Sequence, residues 1–101
     1  MTIVEFYDQF ISKGDGTYLF TPAGVVDYAE RWSYGYIVGV RPLEMNDLKT
    51  YTLAGIWTDE NGMRHYDLVK HVDAYQDAVR MAHDNEQVAI YDMRDEKVVM
   101  V

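Results

Sequence analysis

The dipeptide Asn61-Gly62 is the feature of this sequence that most constrains the fold. It separates two runs that contain large apolar and aromatic residues, residues 51–59 and residues 63–72. Asn-Gly is the strongest short hairpin signal, because a type I′ turn needs a positive φ at both central residues. We therefore predict two antiparallel strands over these runs, joined by a type I′ turn.

The side chains of the second strand alternate between its two faces, and neither face is uniformly apolar. His65, Asp67, Val69 and His71 share one side, because successive side chains of a strand point to opposite faces. The other side combines two charged residues with an aromatic and two aliphatic ones: Arg64, Tyr66, Leu68, Lys70 and Val72. This pattern predicts a strand that lies near a sheet edge or has one solvated side.

Residues 2–13 have the pattern of an amphipathic helix. Thr2 and Glu5 have capping-box spacing, and apolar residues recur at steps of three and four. Gly14 can take the left-handed conformation that closes such a helix.

The segment up to residue 50 predicts a mixture of elements. A short strand is expected at residues 17–20, and Thr21-Pro22 favours the start of a second helix. That helix would pack through Val25, Val26, Tyr28, Ala29 and Trp32. Residues 33–40 are rich in β-formers, and Pro42 ends this strand, whereas residues 43–50 form a linker with one helical turn.

The last third of the chain predicts a helix followed by two strands. Asp73 is a good N-cap for a helix over residues 74–85, with Ala74, Ala78, Met81 and Ala82 as its buried stripe. Strands follow at residues 87–93 and 97–101. We predict an α+β fold, in which a small, mostly antiparallel sheet of four or five strands carries one or two helices packed on one face. At this length we expect residues 1–101 to form a single domain.

Charge and composition argue against several classes of function. The net charge is −8 with a pI near 4.6, which argues against direct nucleic-acid binding and against an anionic membrane surface. The chain has no cysteine, no long apolar run and no basic start of a signal peptide. We expect a soluble protein of the cytoplasm.

Three segments of the C-terminal two thirds carry a resemblance. They are "YIVGV", "GIWTDENGMRHYDL" and "DAYQDAVRMAHDNEQVAIYDM". In about residues 33–94 the chain resembles a group of small phage and mobile-element proteins of actinobacteria for which no activity is established. The shared features are Gly35, Tyr36, Val38, Gly55, Trp57, Tyr66, Asp67, Ala74, Ala78, Ala82, Ala89, Tyr91 and Asp92. The resemblance implies a phage or mobile-element gene, and a protein that binds a protein of the host cell.

Residues that carry chemistry form no recognisable catalytic pattern. His65, Asp67 and His71 are metal-capable, but His65 and His71 would lie about 20 Å apart on an extended strand. Ser12 and Ser33 occupy no nucleophile elbow, and no phosphate-binding glycine motif is present. We predict no metal site, no cofactor and no enzymatic activity.

Aromatic residues are the strongest functional signal. Tyr, Trp and Phe make up 14% of the chain, too many for a small core to bury completely. The predicted partner-binding residues are Arg31, Trp32, Tyr34 and Tyr36, together with Arg64 and Tyr66 on the exposed side of the hairpin. The competing interpretation is that Trp32 and Tyr36 pack in the core while Tyr34 lies flat on the surface. Trp57 is predicted to be a core residue.

These observations favour a small acidic binding protein that occupies a surface of a host protein without catalysis. One alternative is a mimic of nucleic acid that uses the acidic C-terminal half. Its carboxylates would be Asp59, Glu60, Asp73, Asp77, Asp84, Glu86, Asp92, Asp95 and Glu96. Another alternative is a small-molecule binder or enzyme with a pocket between helices and sheet. Self-association through an uncapped edge strand is compatible with all of these.

Overall fold

A computed structural model describes all residues 1–101 and contains two α-helices and seven β-strands. In chain order they are α1 (Ile3–Ile11), β1 (Gly16–Thr21), β2 (Gly24–Asp27), β3 (Tyr36–Pro42), β4 (Leu53–Thr58), β5 (Arg64–Val72), α2 (Tyr75–Asp84), β6 (Ala89–Asp92) and β7 (Lys97–Met100). Single 3-10 turns lie at Tyr28–Glu30 and Met45–Asp47. Neither α1 nor α2 has the length and hydrophobicity that a membrane-spanning helix needs.

The strands form one antiparallel sheet that curls into a half-barrel, so the predicted small sheet of four or five strands is wrong. The strand order is β2-β1-β4-β5-β3-β6-β7. The predicted hairpin is β4–β5, and it occupies the centre of the sheet. Of the two alternatives predicted for β5, a position near a sheet edge is therefore wrong, because the two edges are β2 and β7.

The additional strand β2 lies where the sequence predicted a second helix. Thr21 and Pro22 form a hairpin turn instead, in which the Thr21 hydroxyl accepts from the Ala23 N–H and donates to the Gly24 carbonyl. Gly24 has a φ of 129°, which disfavours a helix, and β-branched Val25 follows it. The local turn chemistry and β-branching outweigh the proline signal.

The β4–β5 hairpin has a different turn from the predicted type I′. Gly62 has a φ of 82°, whereas Asn61 does not have a positive φ. The Gly62 N–H donates to the Asp59 carbonyl, and the Asp59 N–H donates to the Met63 carbonyl. These bonds define a three-residue loop in which one left-handed glycine forms a bulge. The carboxylate of Asp59 also accepts the N–H groups of Asn61 and Met63 and fixes this loop.

Helix α1 begins as predicted and ends differently. The capping box of Thr2 and Glu5 is present, with both hydrogen bonds formed. Gly14 is not left-handed, and the helix ends at Ser12 in an ordinary right-handed conformation. The Arg64 guanidinium donates to the carbonyls of Ile11 and Lys13, so it satisfies backbone acceptors at this helix end.

Both helices pack on the same face of the sheet, which we call the helix face. Helix α1 buries Phe6 and Phe10 against Phe20 of β1, and the Phe6 and Phe20 rings stack at 5.2 Å. Helix α2 buries Ala78 and Ala82 of the predicted stripe against the sheet, whereas Ala74 is exposed. Its N-cap is Ala74, without a side-chain cap, so the predicted cap at Asp73 is wrong.

The opposite face of the sheet, which we call the open face, carries no α-helix. A second cluster of buried apolar side chains lies there, and Tyr28 of the 3-10 turn covers it. Leu19 of β1 and Tyr91 of β6 pack against this cluster although several strands separate them in the sheet. The sheet therefore curls towards its open face.

Candidate functional site

Four rings meet at one end of the open face and form what we call the His71 cluster. Its members are Tyr28, Trp32, Tyr34 and His71. The His71 ring lies 5.5 Å from Tyr28, 5.9 Å from Trp32 and 5.7 Å from Tyr34, measured between ring centroids. The strand β5 supplies the histidine, and the segment between β2 and β3 supplies the other three rings.

Hydrogen bonds fix the orientation of the His71 ring. Its Nε2 lies 2.8 Å from the Tyr34 carbonyl oxygen, and because a carbonyl only accepts, Nε2 carries the proton. Nδ1 lies 2.9 Å from the Tyr28 hydroxyl oxygen and is hydrogen-bonded to it, with Nδ1 as the acceptor in the neutral form of the ring. Burial raises the pKa of Tyr28, with Tyr34 and Asp73 as smaller contributions, so this hydroxyl stays protonated and able to donate. The ring links the segment after β2 to the sheet.

Gly35 makes this close contact feasible. A Cβ atom at position 35 would lie 2.5 Å from His71 Nε2, and the glycine φ is 83°. A side chain would be strained there and would also collide with the imidazole. The glycine therefore allows the Tyr34 carbonyl to approach the histidine.

The outer members of the His71 cluster are exposed to solvent. Trp32 is 41% exposed and Tyr34 is 49% exposed, and their rings meet edge to face at 5.7 Å. Arg31, which precedes Trp32, is also exposed. The cluster thus presents aromatic surface that its buried histidine and tyrosine hold in place.

A second aromatic group, which we call the Trp57 cluster, lies near the turn of the β4–β5 hairpin. Trp57 stacks on His65 with 4.1 Å between ring centroids, and its Nε1 donates to Asp67 Oδ2 at 2.8 Å. His65 Nε2 lies 2.9 Å from Asp59 Oδ2. The His65 hydrogen bond is the largest of the interactions that lower the pKa of Asp59.

Trp57 is 48% exposed, so its predicted place in the core is wrong. The pairing of Trp57 with His65 puts the indole on the open face and close to the turn. The buried apolar cluster of this face does not include it. The glycine that precedes it and the resemblance suggested burial, but the strand register decides the outcome.

The two clusters share the open face and are linked by β5. His65 and His71 are six positions apart on the same side of this strand, which corresponds to about 20 Å. Carboxylates flank the aromatic rings: Asp67 and Asp59 contact the Trp57 cluster, and exposed Asp73 lies 3.9 Å from His71 Nε2. The open face therefore carries two exposed indoles in an acidic setting.

The remaining predicted partner-binding residues lie elsewhere. Tyr36 is on the helix face, where its ring packs edge to face on Tyr75 at 5.6 Å. Arg64 caps the end of α1 and lies over the Tyr66 ring at 5.4 Å. Tyr66 packs against Phe10 at 5.7 Å. Of the six predicted residues, Trp32 and Tyr34 meet on the open face with Arg31 next to them in the chain, and Arg64 and Tyr66 form a separate pair on the helix face.

Two central members of the open face were missed as functional residues, namely His71 and Tyr28. The alternation of β5 did place His65 and His71 on one face, but it could not show which rings would meet them. Tyr28 was expected on a helix that does not exist, so its contact with His71 had no signal in the sequence.

The helix face has an apolar cavity of about 340 Å³ between α1 and the segment after β3. Its lining is Tyr7, Phe10, Ile11, Leu43, Glu44, Met45, Leu48 and Tyr66. Glu44 is the single carboxylate in this lining, so the cavity offers no pair of carboxylates. The structure brings no three metal-capable side chains together.

Comparisons with protein families, with curated proteins and with solved structures found no match to this chain.

Proposed function

We propose that this molecule is a non-catalytic binding protein that occupies a surface of a host protein, in the manner of host-takeover and anti-defence inhibitors. The contact surface is the open face. The observation that carries the proposal is the exposure of both tryptophans of the chain on this one face, at 41% and 48%. Tryptophan and tyrosine are the residue types that dominate binding energy at protein interfaces.

The fixed geometry of the exposed rings supports this proposal. Trp57 is held by the His65 stack and the hydrogen bond to Asp67, and Tyr34 is held through its carbonyl by His71. Side chains that are ordered before binding lose less conformational entropy when a partner covers them. The two clusters are thus suited to act as preformed anchors.

The acidic setting supports a partner with basic groups around an apolar centre. Asp59, Asp67 and Asp73 lie next to the aromatic rings, and the whole chain has a net charge of −8. Complementary charge speeds association and excludes wrong partners. The aromatic anchors, which a partner would bury, set the lifetime of the complex.

The test is capture of partner proteins from host lysate with tagged wild-type protein, Trp32→Ala and Trp57→Ala. Each alanine variant should retain its fold and lose at least about tenfold in partner affinity, as expected for a hot-spot side chain. Tyr7→Ala is the matched control, because Tyr7 is a similarly exposed aromatic on the helix face. Unchanged capture by both tryptophan variants would contradict the proposal.

Salt dependence separates this proposal from nucleic-acid mimicry. Binding through aromatic anchors should weaken only modestly between low and high salt, because burial of apolar surface is not screened. Capture that falls steeply with salt and that DNA competes would instead support the mimic.

A further inference from the structure

The two edges of the half-barrel are protected very differently. At the β2 edge, the Val25 N–H donates to Gln9 Oε1 at 2.9 Å, so α1 covers an outward-facing backbone group. At the β7 edge, no side chain bonds the backbone, and Val98 and Met100 are 65% and 70% exposed. An open edge with apolar side chains is a template for pairing with another strand.

The hydrogen-bond pattern shows which backbone groups of β7 are free. The Val101 N–H donates to the Val88 carbonyl, which continues the β6–β7 register. Since bonding direction alternates along an antiparallel strand, Val99 also faces β6, and Val98 and Met100 direct their N–H and C=O groups to the open edge. The same two residues therefore offer both free backbone groups and exposed apolar side chains.

Val98 and Met100 complement each other when two copies of β7 are related by a two-fold axis. If two β7 strands pair antiparallel about Val99, Val98 of each copy lies opposite Met100 of the other. This register joins the free backbone groups in four hydrogen bonds, and it puts the exposed side chains in direct cross-strand contact. An isologous contact of this kind closes a dimer and leaves no β7 edge free for further growth.

Charge also favours this edge for self-contact. The strand β7 carries one positive side chain, Lys97, and no carboxylate, in a chain whose net charge is −8. Two such molecules repel each other least where they meet along a neutral or basic segment. From the free edge, the register and the local charge, we infer that β7 pairs with β7 of a second copy to form a weak symmetric dimer.

Sedimentation of the full chain at increasing concentration tests this inference. A four-residue contact is small, so the expected Kd is on the order of 0.1–1 mM, and it should fall as added salt screens the net charge. Val98→Lys with Met100→Lys should abolish the dimer, because the new side chains put like charges opposite each other. Met63→Lys, at an equally exposed position on the hairpin loop, is the control and should leave the dimer unchanged.

A cysteine scan tests the register independently, because the native chain has no cysteine. Val99→Cys should form an intermolecular disulfide under mild oxidation, since the two copies of residue 99 face each other across the axis at a distance that a disulfide can span. Met63→Cys should cross-link far less. A protein that stays monomeric up to about 1 mM at high salt, or that cross-links equally at both positions, would overturn the inference.

Discussion

At the scale of single residues, His71 is the residue that organises the open face. It donates to the Tyr34 carbonyl, accepts from the Tyr28 hydroxyl and is surrounded by three aromatic rings. Because these contacts hold the exposed Trp32 and Tyr34, the contact surface that we propose depends on a residue that is itself largely buried. A partner would contact the outer rings and would be affected by His71 indirectly.

The closeness of Gly35 to His71 gives a prediction at this scale. Gly35→Ala should lower the free energy of unfolding by at least about 2 kcal/mol, because it combines a strained positive φ with a collision against the imidazole. Gly14→Ala is the matched control, since Gly14 has no neighbour within 4 Å and no positive φ. Its effect should stay within about 1 kcal/mol. Urea denaturation measures both, and equal stabilities of the two variants would contradict the account of the His71 contact.

The sequence predicted that aromatic residues form the candidate site, but it did not predict which residues contact them. Trp32, Tyr34 and Tyr36 were predicted to form one aromatic group because they lie close together in the chain. Only Trp32 and Tyr34 meet, since Tyr36 lies on the helix face. The exposure of Trp57 could not be predicted, because it depends on the pairing with His65 and on distance from the buried cluster. Arg64 was predicted to contact a partner, but its position beside the end of α1 follows from tertiary packing.

At the scale of elements, local sequence signals predicted some helix ends and turns correctly and others wrongly. The Thr2 and Glu5 capping box was confirmed because both hydrogen bonds are formed within four residues. The Asn61-Gly62 signal located the hairpin correctly but predicted the wrong turn, since the Asp59 carboxylate stabilises a loop longer by one residue. Where a side chain can bond the turn backbone, the dipeptide alone does not determine the turn type.

The segment between β3 and β4 is held by an ion pair whose effect should depend on pH. The Arg41 guanidinium donates to both carboxylate oxygens of Asp47 at 2.7 Å and 2.8 Å, and the Glu44 N–H donates to the same group. Chiefly through the Arg41 hydrogen bond, the pKa of Asp47 is lowered from 3.8 to about 2. A lowered pKa means that the stabilisation is complete above pH 3.8 and is lost as the pH falls through about 2.

Asp47→Asn should therefore destabilise the protein by about 1–2 kcal/mol at neutral pH, allowing for screening of the partly exposed arginine. The difference between wild type and variant should shrink as the pH falls from 3.8 towards 2, because the wild-type carboxyl becomes protonated. Denaturation curves at several pH values measure this difference. A gap that remains constant down to pH 2 would show that the ion pair does not stabilise the segment.

At the scale of the whole molecule, the sheet determines the function that we propose. The α+β composition and the apolar stripes of α1 and α2 follow from residue periodicity. The number of strands and the curl do not, because they depend on long-range contacts. The irregular register between Gly39 and Arg41 and the close approach of Val69 to Gly55 are examples that no local pattern encodes. The curl leaves one face free of α-helices, and that face carries both tryptophans.

The most direct test of this account is acrylamide quenching of tryptophan fluorescence in the free protein and in its complex with the captured partner. Single-tryptophan variants, Trp32→Phe and Trp57→Phe, report on each indole separately. The account predicts that both indoles are readily quenched in the free protein and are protected in the complex. Indoles already shielded in the free protein, or equally quenched with and without the partner, would contradict it.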